Sequence, residues 1–255
     1  MPVSVRKKLM PSNKPFKWPA EAKAAVSLTY DDGIRSQFEN ALPQLDKYGI
    51  KGTFFPSTWG LSSPENAQIW RQIAATGHEI GCHTLHHPCS DAFDFVKKGY
   101  SLQEYDLDRM EKELGENMDL IRGFGYKEKD LVFAYPCGQT AVGPKLDISY
   151  IPLIEKLFMA GRGIKSGYAI PGRIHMHEVS CFGVEEDGQG LINLVKEAER
   201  TGSWAVILFH GVGGDYISVT SQAHETLLKY LKDNKAVWTA RFGDAAGYLK
   251  DFERA

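Results

Sequence analysis

Residues 24–55 read AAVSLTYDDGIRSQFENALPQLDKYGIKGTFF. Ala24–Tyr30 has the length and the β-branched and aromatic content of a strand, and Asp31-Asp32 follows it directly. Ser36–Tyr48 reads as a helix and Gly52–Phe55 as the next strand. Strand, helix and strand in that order form the unit from which parallel sheets are built.

The alternation continues along the chain. Further strands are expected at Glu79–Cys82, Leu131–Tyr135, Phe158–Gly161, Ile174–Cys181, Trp204–His210 and Ala236–Thr239. Helices are expected at Pro64–Thr76, Leu102–Arg122, Tyr150–Leu157, Gln189–Thr201, Ser221–Asn234 and Phe242–Phe252, with Gly202 as a natural C-terminal stop. Seven or eight such units point to an α/β fold, a closed or nearly closed (β/α) barrel, with a doubly wound open sheet as the alternative. Residues 1–19 read as an N-terminal arm and 20–255 as a single domain.

With 255 residues and 43% hydrophobic composition, the chain can bury one substantial core. Its 30 basic and 32 acidic residues leave a formal charge of −2 and no block of like charge, which argues against a nucleic-acid partner. No apolar run reaches the roughly 20 residues of a membrane helix. The N-terminal sequence lacks the apolar core of a secretory signal, so the expectation is a cytoplasmic protein unless a leader was removed. Composition leaves the oligomeric state open.

In parallel α/β architectures, function gathers at the carboxyl ends of the strands. Asp31-Asp32 follows the first strand. GHEIGCHTLHHPC (77–89) surrounds the third, YPCG (135–138) follows the fourth, and His210 closes WAVILFH. These polar groups from separate segments fall at one end of the sheet. His83 and His86 are spaced i,i+3, and His83 and His87 i,i+4; either pair can share a divalent ion, with a carboxylate from Asp31-Asp32. Asp32 can instead cap a helix, a reading that leaves the histidine cluster unexplained.

SLTYDDG (27–33), HTLHH (83–87) and ILFH (207–210) resemble, in this order, the motifs of the polysaccharide deacetylases, the NodB-homology enzymes of carbohydrate esterase family four. The resemblance spans roughly residues 20 to 245. It implies a distorted (β/α) barrel, and a metal, usually zinc, with cobalt or nickel as alternatives, held by Asp32, His83 and His87. It makes Asp31 the general base on a water at the metal and His210 the general acid, and it leaves His86 pointing elsewhere. The function expected is metal-dependent removal of N- or O-linked acetyl groups from an acetylated carbohydrate. An allantoinase-like or cyclic-imidase amidohydrolase and a non-catalytic sugar-binding module are the alternatives. Absence of a G-x-S-x-G elbow argues against a serine esterase.

FAYPCGQ (133–139) departs from the family pattern, because Ala134 stands where an arginine would orient the catalytic aspartate. Arg173 is the expected replacement. Tyr135, Pro136, Trp59 and Leu208 are expected to touch substrate, Leu208 because period-two alternation sets it on the face of His210. His175 and His177 are expected to be structural, as are His78 and His224. Cys89 and Cys137 lie just beyond the ends of consecutive strands, close enough for a disulfide if those strands are neighbours. Such a bond would suit an exported enzyme.

Overall fold

Eight parallel segments follow one another in chain order: β1 Ala24–Asp32, β2 Thr53–Pro56, β3 Glu79–Ile80, β4 Val132–Ala134, β5 Ala160–Arg162, β6 Phe182–Gly183, β7 Trp204–Phe209 and β8 Val237–Thr239. The computed structural model that defines them describes residues 16–61 and 64–254, apart from the side chains at 58–59, 64–65 and 253–254. β1 is buried throughout. It pairs with β7 on one side, and on the other with β8 at its start and β2 at its end.

The ring closes through neighbours in sequence order. β2 pairs with β3, and β4 with β5. Between them, Cys82 joins β3 to β4: its N–H donates to the Val132 carbonyl (2.8 Å), and its carbonyl accepts from Ala134 N–H (2.9 Å). Val179 joins β5 to the segment leading into β6, donating to Gly161 (2.8 Å) and accepting from Gly163 (3.0 Å). β6 then pairs with β7. Seven strands therefore surround the core, with two seams held by single bridges. This is the expected α/β barrel in distorted form.

Alternation on the strands divides the apolar residues into two layers. Val26, Leu28 and Tyr30 of β1, with Ala205, Ile207 and Phe209 of β7, pack outward beneath the helices. Ala25, Val206 and Leu208 pack inward with Phe55, Val132, Ala134 and Ala160. Phe242 joins the inner layer, and its N–H donates to Thr53 Oγ1 at 2.8 Å. Continuing the inward register places Asp31 after Thr29, and His210 after Leu208. Period two thus carries both side chains to the carboxyl end of the barrel interior.

Helices cover the outer layer, and their ends follow local chemistry. Asp187 caps Gly188–Thr201 by accepting from Gly190 N–H (2.8 Å), and Gly202 ends it at φ 69°. Thr220 caps Ser221–Asp233 through Ala223 N–H (3.0 Å). Among the described residues no helix is long and apolar enough to cross a membrane.

Two expectations need correction. The helix expected from Leu102 starts at Leu107: a capping box between Ser101 and Glu104 closes a short 3₁₀ turn, Tyr105 is extended, and Asp106 caps the helix through Arg109 N–H. The strand expected over Ile174–Cys181 is mostly turns, bonded to β5 through the Met176 carbonyl and bridged to it at Val179, and the paired residues are Phe182–Gly183. Residues 1–15 of the expected arm lie outside the described residues, but Trp18 is buried and donates to the Gly202 carbonyl (3.0 Å).

Candidate active site

Asp31 and Asp32 end β1 with their side chains almost wholly buried. Asp32 has φ 73° and Gly33 φ 68°, so the backbone turns sharply here. A side chain at 33 would meet Trp70 at 2.8 Å, which leaves only glycine for that turn. Gln37, in the single π-turn Gln37–Ala41, donates its amide to the carbonyls of Asp31 (2.5 Å) and His210 (2.9 Å). It ties the ends of β1 and β7 together.

Asp31 and Asp32 have different partners. Arg162, the last residue of β5, is fully buried, and its Nη2 donates to both Asp31 oxygens at 2.6 and 2.5 Å. Burial alone would raise the Asp31 pKa; the Arg162 guanidinium, then His83 and His210, outweigh it and hold the carboxyl below its usual range. Asp32 accepts a hydrogen bond from Tyr216 at Oδ2 (2.7 Å). Its Oδ1 is buried without a protein partner.

That orphaned oxygen faces two imidazoles. His83 Nε2 lies 3.7 Å from it and His87 Nε2 3.5 Å. Two ligands about 2.1 Å from a shared ion are roughly 3.4 Å apart in a tetrahedral site, so these separations fit a common metal. His83 Nδ1 donates to the Ala134 carbonyl (2.8 Å), which leaves Nε2 with a free lone pair in the neutral ring. Burial pushes both histidines down to about 4, so each is neutral near pH 7. Asp32, His83 and His87 have ligand atoms within 4.8 Å of one another. A divalent ion fits these donors.

The loop that carries the histidines holds a strained backbone. Thr84 has φ 61° and His87 φ 52°, a region that non-glycine residues seldom enter. Several bonds compensate. Buried Glu113 accepts from the N–H groups of Leu85 (3.1 Å) and His86 (2.8 Å), and from the Tyr105 hydroxyl (2.5 Å). The His87 N–H donates to Thr84 Oγ1 (3.1 Å). Cys89 is disulfide-bonded to Cys137, tying this loop to the turn after β4. The disulfide removes both thiols as ligands, although His87, Cys89 and Cys137 also cluster.

These groups open into a cavity of about 540 Å³. Asp31, Asp32, His83, His87 and His210 line it together with Leu208, Tyr135, Cys137, Ile164, Phe93, Phe95, Tyr216 and Ile217. His210 Nε2 is 4.0 Å from Asp32 Oδ2. The structure thus brings together Asp31, Asp32, His83, His87, His210, Leu208 and Tyr135. His86 turns away, its ring 4.6 Å from that of Tyr100.

Other expected residues fall elsewhere. Arg173 lines a neighbouring cavity and does not bond Asp31; Arg162 takes that place because it ends an inward-facing strand. Pro136 is buried at the start of a 3₁₀ turn and does not line the cavity. The Trp59 side chain lies outside the described residues. His78 is held by Gly52 N–H and Asp46, and His224 by Tyr30 and Gln44, as structural groups. His175 pairs with Glu178 (3.3 Å) and His177 with the Phe158 carbonyl (3.2 Å).

Sequence reasoning missed Arg162, Gln37, Tyr216 and Glu113. Only Arg162 had a usable signal, since it directly follows an expected strand. Replacing it should be costly. Arg162→Met leaves Asp31 as a buried, unpaired charge, with an expected loss of about 3–5 kcal/mol in denaturant unfolding. Adding Asp31→Asn should recover much of it. A loss below about 1 kcal/mol in the single variant would contradict the pairing.

The family model for polysaccharide deacetylase matches residues 19–145. The chain belongs to that family, whose deacetylases are generally metal-dependent. It is 36% identical over 261 residues to a gellan lyase of a Bacillus species, covering 93% of this chain and 10% of that protein. It is 40% identical over 67 residues to a peptidoglycan-N-acetylglucosamine deacetylase of Bacillus cereus, covering 26% of this chain and 24% of that one. The matches therefore span about a tenth and a quarter of these relatives' lengths. In fold it resembles a putative polysaccharide deacetylase from Mycobacterium smegmatis, with a TM-score of 0.65, 16% identity and 96% of each chain covered.

Proposed function

We propose that the chain is a metal-dependent hydrolase that removes N- or O-linked acetyl groups from a carbohydrate polymer or oligosaccharide. One observation carries the reading: the partnerless buried Oδ1 of Asp32 faces two neutral imidazoles, beside a second carboxylate that Arg162 keeps ionised. Asp32, His83 and His87 would hold the ion, with zinc suited to two nitrogen donors and one oxygen, and cobalt or nickel as alternatives. When bound, it supplies a Lewis acid that acidifies water and polarises the acetyl carbonyl.

The protein's own groups divide the remaining work. Asp31 accepts the proton of the attacking water as its oxygen bonds to the carbonyl carbon. Arg162 fixes the Asp31 carboxylate. His210 donates a proton to the departing nitrogen or oxygen as the bond to the acetyl carbon breaks. Leu208 and Tyr135 line the same cavity and offer apolar surface to the acetyl methyl group. The Cys89–Cys137 disulfide supports action in an oxidising compartment, outside the cytoplasm.

Acetate release from chitin-like, peptidoglycan and acetylxylan oligomers, with zinc or cobalt present, tests the reading. At least one class should be deacetylated. An amide hydrolysed without acetate release, such as a cyclic imide, would instead favour the amidohydrolase alternative. With the active class in hand, His210→Ala should slow a sugar amide at least tenfold more than an activated aryl acetate, whose leaving group needs little protonation. Equal slowing would remove His210 as the acid.

A further inference from the structure

A second cavity, of about 510 Å³, adjoins the first, and Ile164 lines both. It borders the segment that runs on from Arg162, so Lys165 lies only three residues beyond the arginine that holds Asp31. Three residues span at most about 11 Å. Lys165 and Arg173 both line this second cavity, and both are exposed. Among the described residues, neither has a carboxylate within 4.0 Å; Glu178, the one acid lining the same cavity, is turned to His175 at 3.3 Å.

The second cavity therefore carries two cations against one carboxylate. That excess of positive charge attracts an anion, and the arginine fork can grip a carboxylate through two hydrogen bonds. Solvation would satisfy two isolated surface cations equally well, but these two share a concavity that meets the site of reaction at Ile164. We propose that the second cavity binds the sugar adjacent to the one that loses its acetyl group, and that this neighbour is a uronic acid. The substrate is then an acetylated acidic glycan. This rests on the deacetylase reading given above.

Calorimetry separates the two ideas. The probes are a glucuronate-containing oligosaccharide without acetyl groups and a neutral glucose oligosaccharide of equal length. Each is titrated into the metal-loaded wild type and into the double variant Lys165→Ala, Arg173→Ala. The wild type should prefer the acidic probe, less so at high salt. An exposed ion pair is worth up to about fivefold, so the double variant should lose roughly tenfold in affinity for the acidic probe relative to the neutral one.

Equal affinity for both probes, or equal loss in the variant, would overturn the subsite. Acetate assays on acetylated forms of both oligosaccharides complete the test. Selective, charge-dependent binding without acetate release would keep the subsite and sink the deacetylase reading. Acetate release with no preference between acidic and neutral substrates, in wild type and variant alike, would do the reverse.

Discussion

His83→Ala should bind zinc more than a hundredfold more weakly than the wild type, and His86→Ala should bind it nearly as well. Loss of a group that merely supports a ligand costs about ten- to a hundredfold in affinity, and loss of one of three ligands should exceed that. His83 has its Nδ1–H committed to the Ala134 carbonyl and its Nε2 facing Asp32. His86 differs by three positions in sequence and is oriented quite otherwise. Its N–H goes to Glu113 and its ring packs on Tyr100, so truncation removes a contact outside the site. Metal content after dialysis and zinc titration calorimetry provide the measurement. Equal weakening in the two variants would show that the ion sits elsewhere.

Asp31→Asn should keep the metal and the fold but lower kcat by about 10²–10⁴, the range expected when a general base is removed. The amide is nearly isosteric, and its oxygen can still accept from Arg162, so the fold persists with some stability lost as the buried guanidinium loses its counter-charge. What it cannot do is take a proton from water. The neighbouring Asp32→Asn should behave differently, losing metal first, because Oδ1 of Asp32 faces the imidazoles and Asp31 is engaged by Arg162. Two adjacent carboxylates thus separate into a ligand and a base by their partners alone. If Asp31→Asn retained activity within about threefold, the base would have to be another group.

Much of this was legible before any coordinates. The strand-end rule and period-two alternation located Asp31, Asp32, the histidine loop and His210, because both depend only on local pattern and the polarity of parallel strands. The spacing of His83, His86 and His87 could not choose between two pairs. That choice depends on a left-handed backbone at Thr84 and His87, held by Glu113 from a distant helix.

Arg162 was passed over in favour of Arg173 for a related reason. Fully buried arginines are rare, so a cation near a strand is by default assigned to the surface. Which arginine turns inward depends on the register of β5 against β4, a tertiary quantity. The expected strand over Ile174–Cys181 failed because its apolar alternation carried no information about available partners; β5 offers it one hydrogen bond at Met176 and the Val179 bridge, not a ladder. The Cys89–Cys137 pairing succeeded where that strand did not. It required only that β3 and β4 be neighbours, which the Cys82 bridge satisfies.

The most direct test of the account is metal-dependent acetate release. The protein is stripped by chelation and assayed on an acetylated oligosaccharide, then assayed again after one equivalent of zinc or cobalt is restored. The account predicts negligible release from the stripped protein, recovery with the ion, and no recovery in Asp31→Asn despite full metal loading. Undiminished acetate release from the chelated protein, or full activity in metal-loaded Asp31→Asn, would contradict it.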